Sequence, residues 1–319
     1  MHPVFVRIGG YDIAWYGLLT SMGVLVGVLV AIRRGKTVSL PPDLILDLAF
    51  YSVIIGFIGS RVFFILGDLR GFLAAPKDYI FTRQGYVFFG GLIVALAFAV
   101  WYLRRKRCDL WQVADVMAPS IALGHMFGRV GCFFSGCCYG RICPPGWEAW
   151  GWSFPKVTDP DTGEVMFSFA YISHVERGLI GPDARSSLPI FPVQLYEAAA
   201  LFLIFLGLTW LWRRRRFRGQ LFAAYLAAYG TVRFLVEFLR GDYDERILVG
   251  LLQRGQLSQI ASLLALGVAV TLWWRLRHRP LGEAIRESPS VMPPETANTA
   301  PTNSTTSRSA AKTKRGRRR

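Results

Sequence analysis

Seven predominantly apolar blocks run through this 319-residue chain, at about residues 13–32, 44–66, 85–103, 111–127, 192–212, 221–239 and 257–274. Each is close to the length that crosses the roughly 30 Å hydrocarbon core of a bilayer. In lipid every backbone polar group must find its partner within the protein, so such blocks fold as helices rather than open strands. The expectation is an all-α polytopic membrane protein of about seven transmembrane helices. Composition agrees: hydrophobic residues make up 52% of the chain and the mean hydropathy is +0.33, which argues against one or two soluble domains.

The formal net charge of +16 raises nucleic acid as a partner. Its placement argues otherwise, and no nucleic-acid partner is expected. The basic residues fall in short runs after the first, third, fifth and seventh blocks: Arg33, Arg34 and Lys36; Arg104 to Arg107; Arg213 to Arg216 with Arg218; and Arg275, Arg277 and Arg279. Such runs mark cytoplasmic ends and contact anionic membrane lipids. The amino terminus is therefore expected outside and the carboxyl tail inside. Residues 1–12 lack the basic start of a cleavable signal peptide, and the first block is long enough to span. Residues 1–279 form one membrane domain on this reading, including an outer-face segment at about 142–190 whose Trp147, Trp150 and Trp152 suit an interface. Residues 280–319 are too poor in apolar side chains to fold and read as a disordered basic cytoplasmic tail.

Residues 128–141, GRVGCFFSGCCYGR, gather four glycines, three cysteines and two arginines at the outer end of the fourth block. An arginine there faces a cavity, a headgroup or a partner, because lipid offers it no solvation. The same argument turns Arg61, inside the second block, inward. In the sixth block Arg233, Glu237 and Arg240 recur at i, i+4 and i+7, with Tyr229 one turn earlier, so they share a helical face. That stripe reads either as an internal Arg–Glu pair that fixes packing or as an anion site in which arginines hold a phosphate and Glu237 orients one of them. Before the fifth block, FPVQLYE sets Gln194, Tyr196 and Glu197 at a helix entrance, either as a cap or with Glu197 as partner to an arginine. The spacing of Cys132, Cys137, Cys138 and Cys143 differs from common structural zinc motifs. Metal, an outward-facing disulfide and unpaired packing thiols are all open readings. Together these features predict an outward-facing polar cavity.

These motifs resemble the prolipoprotein diacylglyceryl transferase family. The resemblance rests on Gly128-Arg129-Val130-Gly131-x-Phe133 through Tyr139-Gly140-Arg141, on Trp15-Tyr16-Gly17, Gly59-x-Arg61, Phe89-Gly90-Gly91-Leu92 and Pro192-x-Gln194-Leu195-Tyr196-Glu197, and on Tyr229-Gly230 through Arg233, Glu237 and Arg240. They cover about residues 10–275 in the family's order. The resemblance implies an enzyme of the bacterial inner membrane that moves the diacylglyceryl group of phosphatidylglycerol onto the lipobox cysteine of preprolipoprotein signal peptides. Glycerol phosphate is released, and the exchange requires neither ATP nor metal. It also implies that Arg129 and Arg233 stabilise the phosphate, that Glu237 holds an arginine, and that Arg240 assists. Arg61, Glu197 and Gln194 then belong to substrate binding, and Tyr229 or a nearby carboxylate helps remove the thiol proton. The chain departs from the family pattern at Phe89 and Phe191, where histidine is usual, and at Cys132 and Cys137, where asparagine and glutamate are usual. A family-related protein that binds or transports an anionic lipid without transfer, and a cysteine-based redox or metal protein, are the competing readings.

Overall fold

The computed structural model describes residues 3–8, 11–80, 85–158, 163, 165, 168–241, 246–247, 252–278 and 281. The expectation for the tail lies outside these residues apart from Leu281. The chain opens with an antiparallel hairpin, β1 (Val4–Ile8) and β2 (Tyr11–Ala14), that leads into α1 (Trp15–Lys36). Then come α2 (Pro42–Gly67), two short helices α3 (Leu69–Ala74) and α4 (Pro76–Ile80), α5 (Phe88–Arg105) and α6 (Leu110–Ser135). After a long connection carrying α7 (Phe169–Glu176) follow α8 (Val193–Trp212), α9 (Gln220–Glu237), a small hairpin of β3 (Arg246–Ile247) and β4 (Leu252–Gln253), and α10 (Arg254–Leu276).

Among the described residues seven helices reach 18 residues or more, one over each predicted apolar block. Five of them, α1, α2, α5, α8 and α10, are long and apolar enough to cross a membrane. Their most apolar windows are only 11% to 22% buried, so most of that surface faces outward. Water would not tolerate so broad an apolar belt on a folded chain, and a bilayer requires it. To these seven the structure adds two short hairpins and the short helices α3, α4 and α7.

The centre of the bundle is α6. Its 26 residues span roughly 39 Å at about 1.5 Å per residue, and it packs against α1, α8 and α9. The face that α1 turns inward is Gly23, Gly27, Ala31 and Gly35, a small residue every fourth position. A Cβ at Gly23 would stand 2.8 Å from the carbonyl oxygen of Gly124, so this crossing depends on bare backbone. At one end of the bundle, Asp109 caps α6 through the N–H groups of Trp111 and Gln112 and pairs with Arg218 at 2.6 Å. Asp115 reaches across to accept the N–H groups of Gly219 and Phe222 at 2.8 and 3.0 Å, which satisfies the first turn of α9. Arg34 meets Thr209 at the same end.

The opposite end carries the long connection. Gly136, at φ +66°, ends α6 in a left-handed turn, and the chain returns beside residues 190 and 240 through bridges joining Gly140 to Arg240 and Ile142 to Ile190. Phe133, Tyr139, Phe154, Ala170 and Ile190 form a core beneath this cover. Trp147, Trp150 and Trp152 remain exposed on it. The basic runs and the glycine-rich stretch therefore occupy opposite ends, the partition read from the charge pattern.

Candidate active site

Three helices bring the polar residues of the apolar blocks together. The centre of the arrangement is Glu197, on the first turns of α8 and only 2% exposed. Its Oε1 lies 3.1 Å from Nε of Arg129 on α6, and its Oε2 lies 3.9 Å from Nη1 of Arg233 on α9. The hydroxyl of Tyr229, also on α9, donates to Glu197 Oε1 at 3.1 Å. Arg233 is held twice more: Nη2 lies 2.7 Å from Glu237 Oε2, one helical turn on, and donates to Ser258 Oγ on α10 at 2.7 Å.

The energetics follow from burial. Removing one partner of a buried ion pair leaves an uncompensated charge at a cost of about 3–5 kcal/mol. The two guanidiniums and two carboxylates therefore persist only as a set. Their formal charges cancel, so the cluster can sit in the bundle, while both arginines keep hydrogen-bonding capacity. Among the described residues, Nε of Arg129 and Nη1 of Arg233 are buried without a hydrogen bond of good geometry. Two guanidiniums fixed about one carboxylate have further N–H groups, beyond those turned to Glu197, with which to engage a tetrahedral anion.

Of the residues expected from sequence, Arg129, Glu197, Tyr229, Arg233 and Glu237 meet in this cluster. Gln194 lies one turn before Glu197 and donates from Nε2 to the carbonyl oxygen of Cys137 at 2.7 Å, which fastens α8 to the glycine-rich turn. Arg240 does not continue the helical stripe as expected. The helix ends at Glu237, and residue 240 instead pairs its backbone with Gly140. Arg61 makes its contacts elsewhere: it donates to the carbonyl oxygens of Gly85 and Ile80, both at 3.1 Å, and its guanidinium stands 5.1 Å from the ring centre of Tyr86. Phe89 opens α5 with its ring against Phe88.

Two residues join the site without having been singled out. His125 sits one turn before Arg129, its ring 4.9 Å from that of Tyr229, and Ser258 braces Arg233. The signal for His125 was its four-residue offset from Arg129 in an apolar block. Ser258 carried none, because a serine near a helix start is commonplace.

All five cysteines are free thiols. The sulfurs of Cys132, Cys137 and Cys138 lie within 4.8 Å of one another, beside the arginine cluster.

Residues 3–275 match the family model described as prolipoprotein diacylglyceryl transferase. The chain belongs to this family. It is similar to the phosphatidylglycerol–prolipoprotein diacylglyceryl transferase of Clostridium tetani, with 31% identity over 76% of this chain and 86% of that one. Its similarity to the protein of the same description from a Nostoc species is 32% over 89% of this chain and 93% of that one. The counterpart in Bacillus cytotoxicus is 30% identical over 81% and 86%. Family membership and the apolar helices together make this a membrane protein.

Proposed function

We propose that this chain transfers the diacylglyceryl group of phosphatidylglycerol to the lipobox cysteine of preprolipoproteins, the first step of bacterial lipoprotein maturation. The observation that carries the reading is the Arg129–Glu197–Arg233 arrangement, two buried cations held at one carboxylate, in a chain of this family.

The chemistry follows from those residues. The acceptor sulfur attacks the diacylglyceryl carbon next to the phosphate ester; the carbon–oxygen bond breaks, a carbon–sulfur bond forms, and glycerol phosphate departs with an additional negative charge. Arg129 and Arg233 neutralise that charge as it develops, and Glu197 and Glu237 hold them in place before the lipid arrives. Preorganised donors of this kind each supply on the order of 10²–10³ in rate. Arg240 adds positive charge beside the glycine-rich turn, and the hydroxyl of Tyr229 donates to Glu197 within the cluster. Gln194 positions the turn. Arg61, on α2, steadies the chain around Gly85 that leads into α5 and meets lipid headgroups rather than the reacting phosphate.

The protein lies in the cytoplasmic membrane with all seven long helices crossing, its amino terminus and glycine-rich end outside and its basic runs and tail in the cytoplasm. The recess of about 540 Å³ bounded by Arg141, Trp147, Trp150 and Tyr196 is suited to a headgroup at the outer interface. The test uses purified protein, vesicles of phosphatidylglycerol and a lipobox peptide. The peptide gains the mass of one diacylglyceryl group and glycerol phosphate appears in equal amount; phosphatidylethanolamine vesicles support neither. A well-folded protein that binds phosphatidylglycerol but leaves the peptide unchanged belongs to a lipid-binding branch of the family instead.

A further inference from the structure

The three clustered thiols are not used by the arginine site, and their geometry is that of a ligand set. Cys132 lies in the last turn of α6. The left-handed Gly136 turns the chain back so that the N–H of Cys137 bonds the carbonyl oxygen of Cys132 at 3.2 Å. Cys138 then takes φ +55°, a conformation that costs a non-glycine residue about 1–3 kcal/mol unless its surroundings impose it. The surroundings do: Gln194 holds the carbonyl of Cys137, and the N–H of Gly140 bonds the carbonyl oxygen of Phe191 at 3.1 Å. The result aims three sulfurs at one another within 4.8 Å. Zinc–sulfur bonds of about 2.3 Å in tetrahedral array put sulfurs about 3.8 Å apart, within small adjustments of side chains in such a cluster.

Charge favours the same reading. The carboxyl end of α6 presents partial negative charge, which suits a cation. Three thiolates around a divalent ion carry one excess negative charge, and Arg129 and Arg240 both act electrostatically on Cys138. The remaining cysteines stand apart. The sulfur of Cys143 packs beneath Gly151, and Cys108 follows α5 near Lys106, at the other end of the bundle. The set therefore offers three protein ligands and an open fourth position, the arrangement of catalytic rather than structural zinc.

We propose that Cys132, Cys137 and Cys138 bind a zinc ion whose fourth position takes the acceptor thiol of the incoming peptide. The role in transfer rests on the function proposed above. Coordination releases the thiol proton to solvent, because a thiol bound to zinc is deprotonated outright. The bound sulfur keeps a lone pair, which forms the carbon–sulfur bond as the carbon–oxygen bond gives its electron pair to departing glycerol phosphate. A metal would thus do the work of a base in a site whose own carboxylates are committed to arginines.

The test is a cobalt titration of the reduced full-length protein in detergent. One cobalt per chain should bring the intense near-ultraviolet thiolate-to-cobalt absorption and the visible bands of a tetrahedral centre, and zinc should bleach both. Cys137→Ser and Cys132→Ser should weaken cobalt binding beyond the roughly 10–100-fold that loss of an outer-shell partner costs, whereas Cys108→Ser should leave it unchanged. In the wild-type protein zinc should protect three thiols from alkylation, a measurement independent of how the variants fold. A lipobox peptide should shift the cobalt spectrum, and the same peptide with serine for its cysteine should not. Absence of the bands with all thiols alkylated equally in zinc, or a disulfide within the trio in protein purified without reductant, would overturn the site. Full transfer by metal-stripped protein would overturn the zinc role and leave the transferase standing; cobalt binding and a peptide-induced shift without transfer would overturn the transferase and leave the metal site standing.

Discussion

The carboxylate of Glu197 lies 3.1 Å from Nε of Arg129, and its other oxygen lies 3.9 Å from Arg233. A single buried group on α8 thereby sets the spacing of two cations on α6 and α9. Glu197→Gln keeps the shape but removes the charge that holds both. Loss of one preorganised contact costs on the order of 10²–10³ in turnover, and here two arginines are released at once. Transfer rates of this variant should fall at least that far, and a thermal melt should show destabilisation of about 3–5 kcal/mol from the unpaired charges.

Arg129 presents Nε to the carboxylate, a contact that the flat guanidinium fork permits and an ammonium does not reproduce. Arg129→Lys preserves charge but not geometry. It should therefore be nearly as defective as Arg129→Ala in product formation. Rates within a few-fold of wild type would show that charge alone matters.

The α1–α6 crossing makes a separate prediction. Gly23 meets the backbone of Gly124 closely enough that a Cβ would stand 2.8 Å from its carbonyl oxygen. Gly23→Leu forces the helices apart along a face that also places Tyr16 against Gly131. The cost should reach the 1–3 kcal/mol of overpacking, read as a lower melting temperature in detergent. Gly17→Ala, where a Cβ meets nothing, should melt like wild type.

The long connection between α6 and α8 should depend on pH for its fold through His174. This side chain is buried, and its Nδ1 accepts the N–H of Leu188 at 3.2 Å. Burial, and then the charge of Arg177, hold its pKa below the ordinary 6.5. The unfolded segment takes up a proton as pH falls below that value while the folded one resists. Its stabilising contribution is thus complete above about pH 6.5 and declines as pH drops toward the lowered folded value. Fluorescence of Trp147, Trp150 and Trp152 should report a segment that loosens under mild acid, and His174→Gln should flatten the response.

Much of this arrangement was legible in the sequence, for reasons that differ by residue. The apolar blocks became long helices because lipid-length hydrophobic runs have few alternatives. Arg129, Arg233 and Glu237 stood out because charges within such runs must meet each other or water. Spacing alone paired Arg233 with Glu237. It could not show that Glu197, distant in sequence and at a helix entrance, would join both arginines, since that depends on how three helices cross. The helical stripe failed at Arg240 because α9 ends at Glu237 and the chain turns to pair with Gly140. Arg61, expected to turn inward, lies apart from the cluster and donates to carbonyls at the turn before α5. The cysteines were ambiguous by spacing, and only the reversal at Gly136 brings three of them together.

The most direct measurement follows diacylglyceryl transfer by Arg233→Ala in phosphatidylglycerol vesicles, with the mass of a lipobox peptide as the readout. Arg233 links Glu197, Glu237 and Ser258, so its loss removes one of the two buried cations and loosens the other. The account predicts a protein that still inserts and binds lipid but modifies the peptide slower by on the order of 10³ or more. Transfer at the wild-type rate would contradict it and place the reacting phosphate away from the Glu197 cluster.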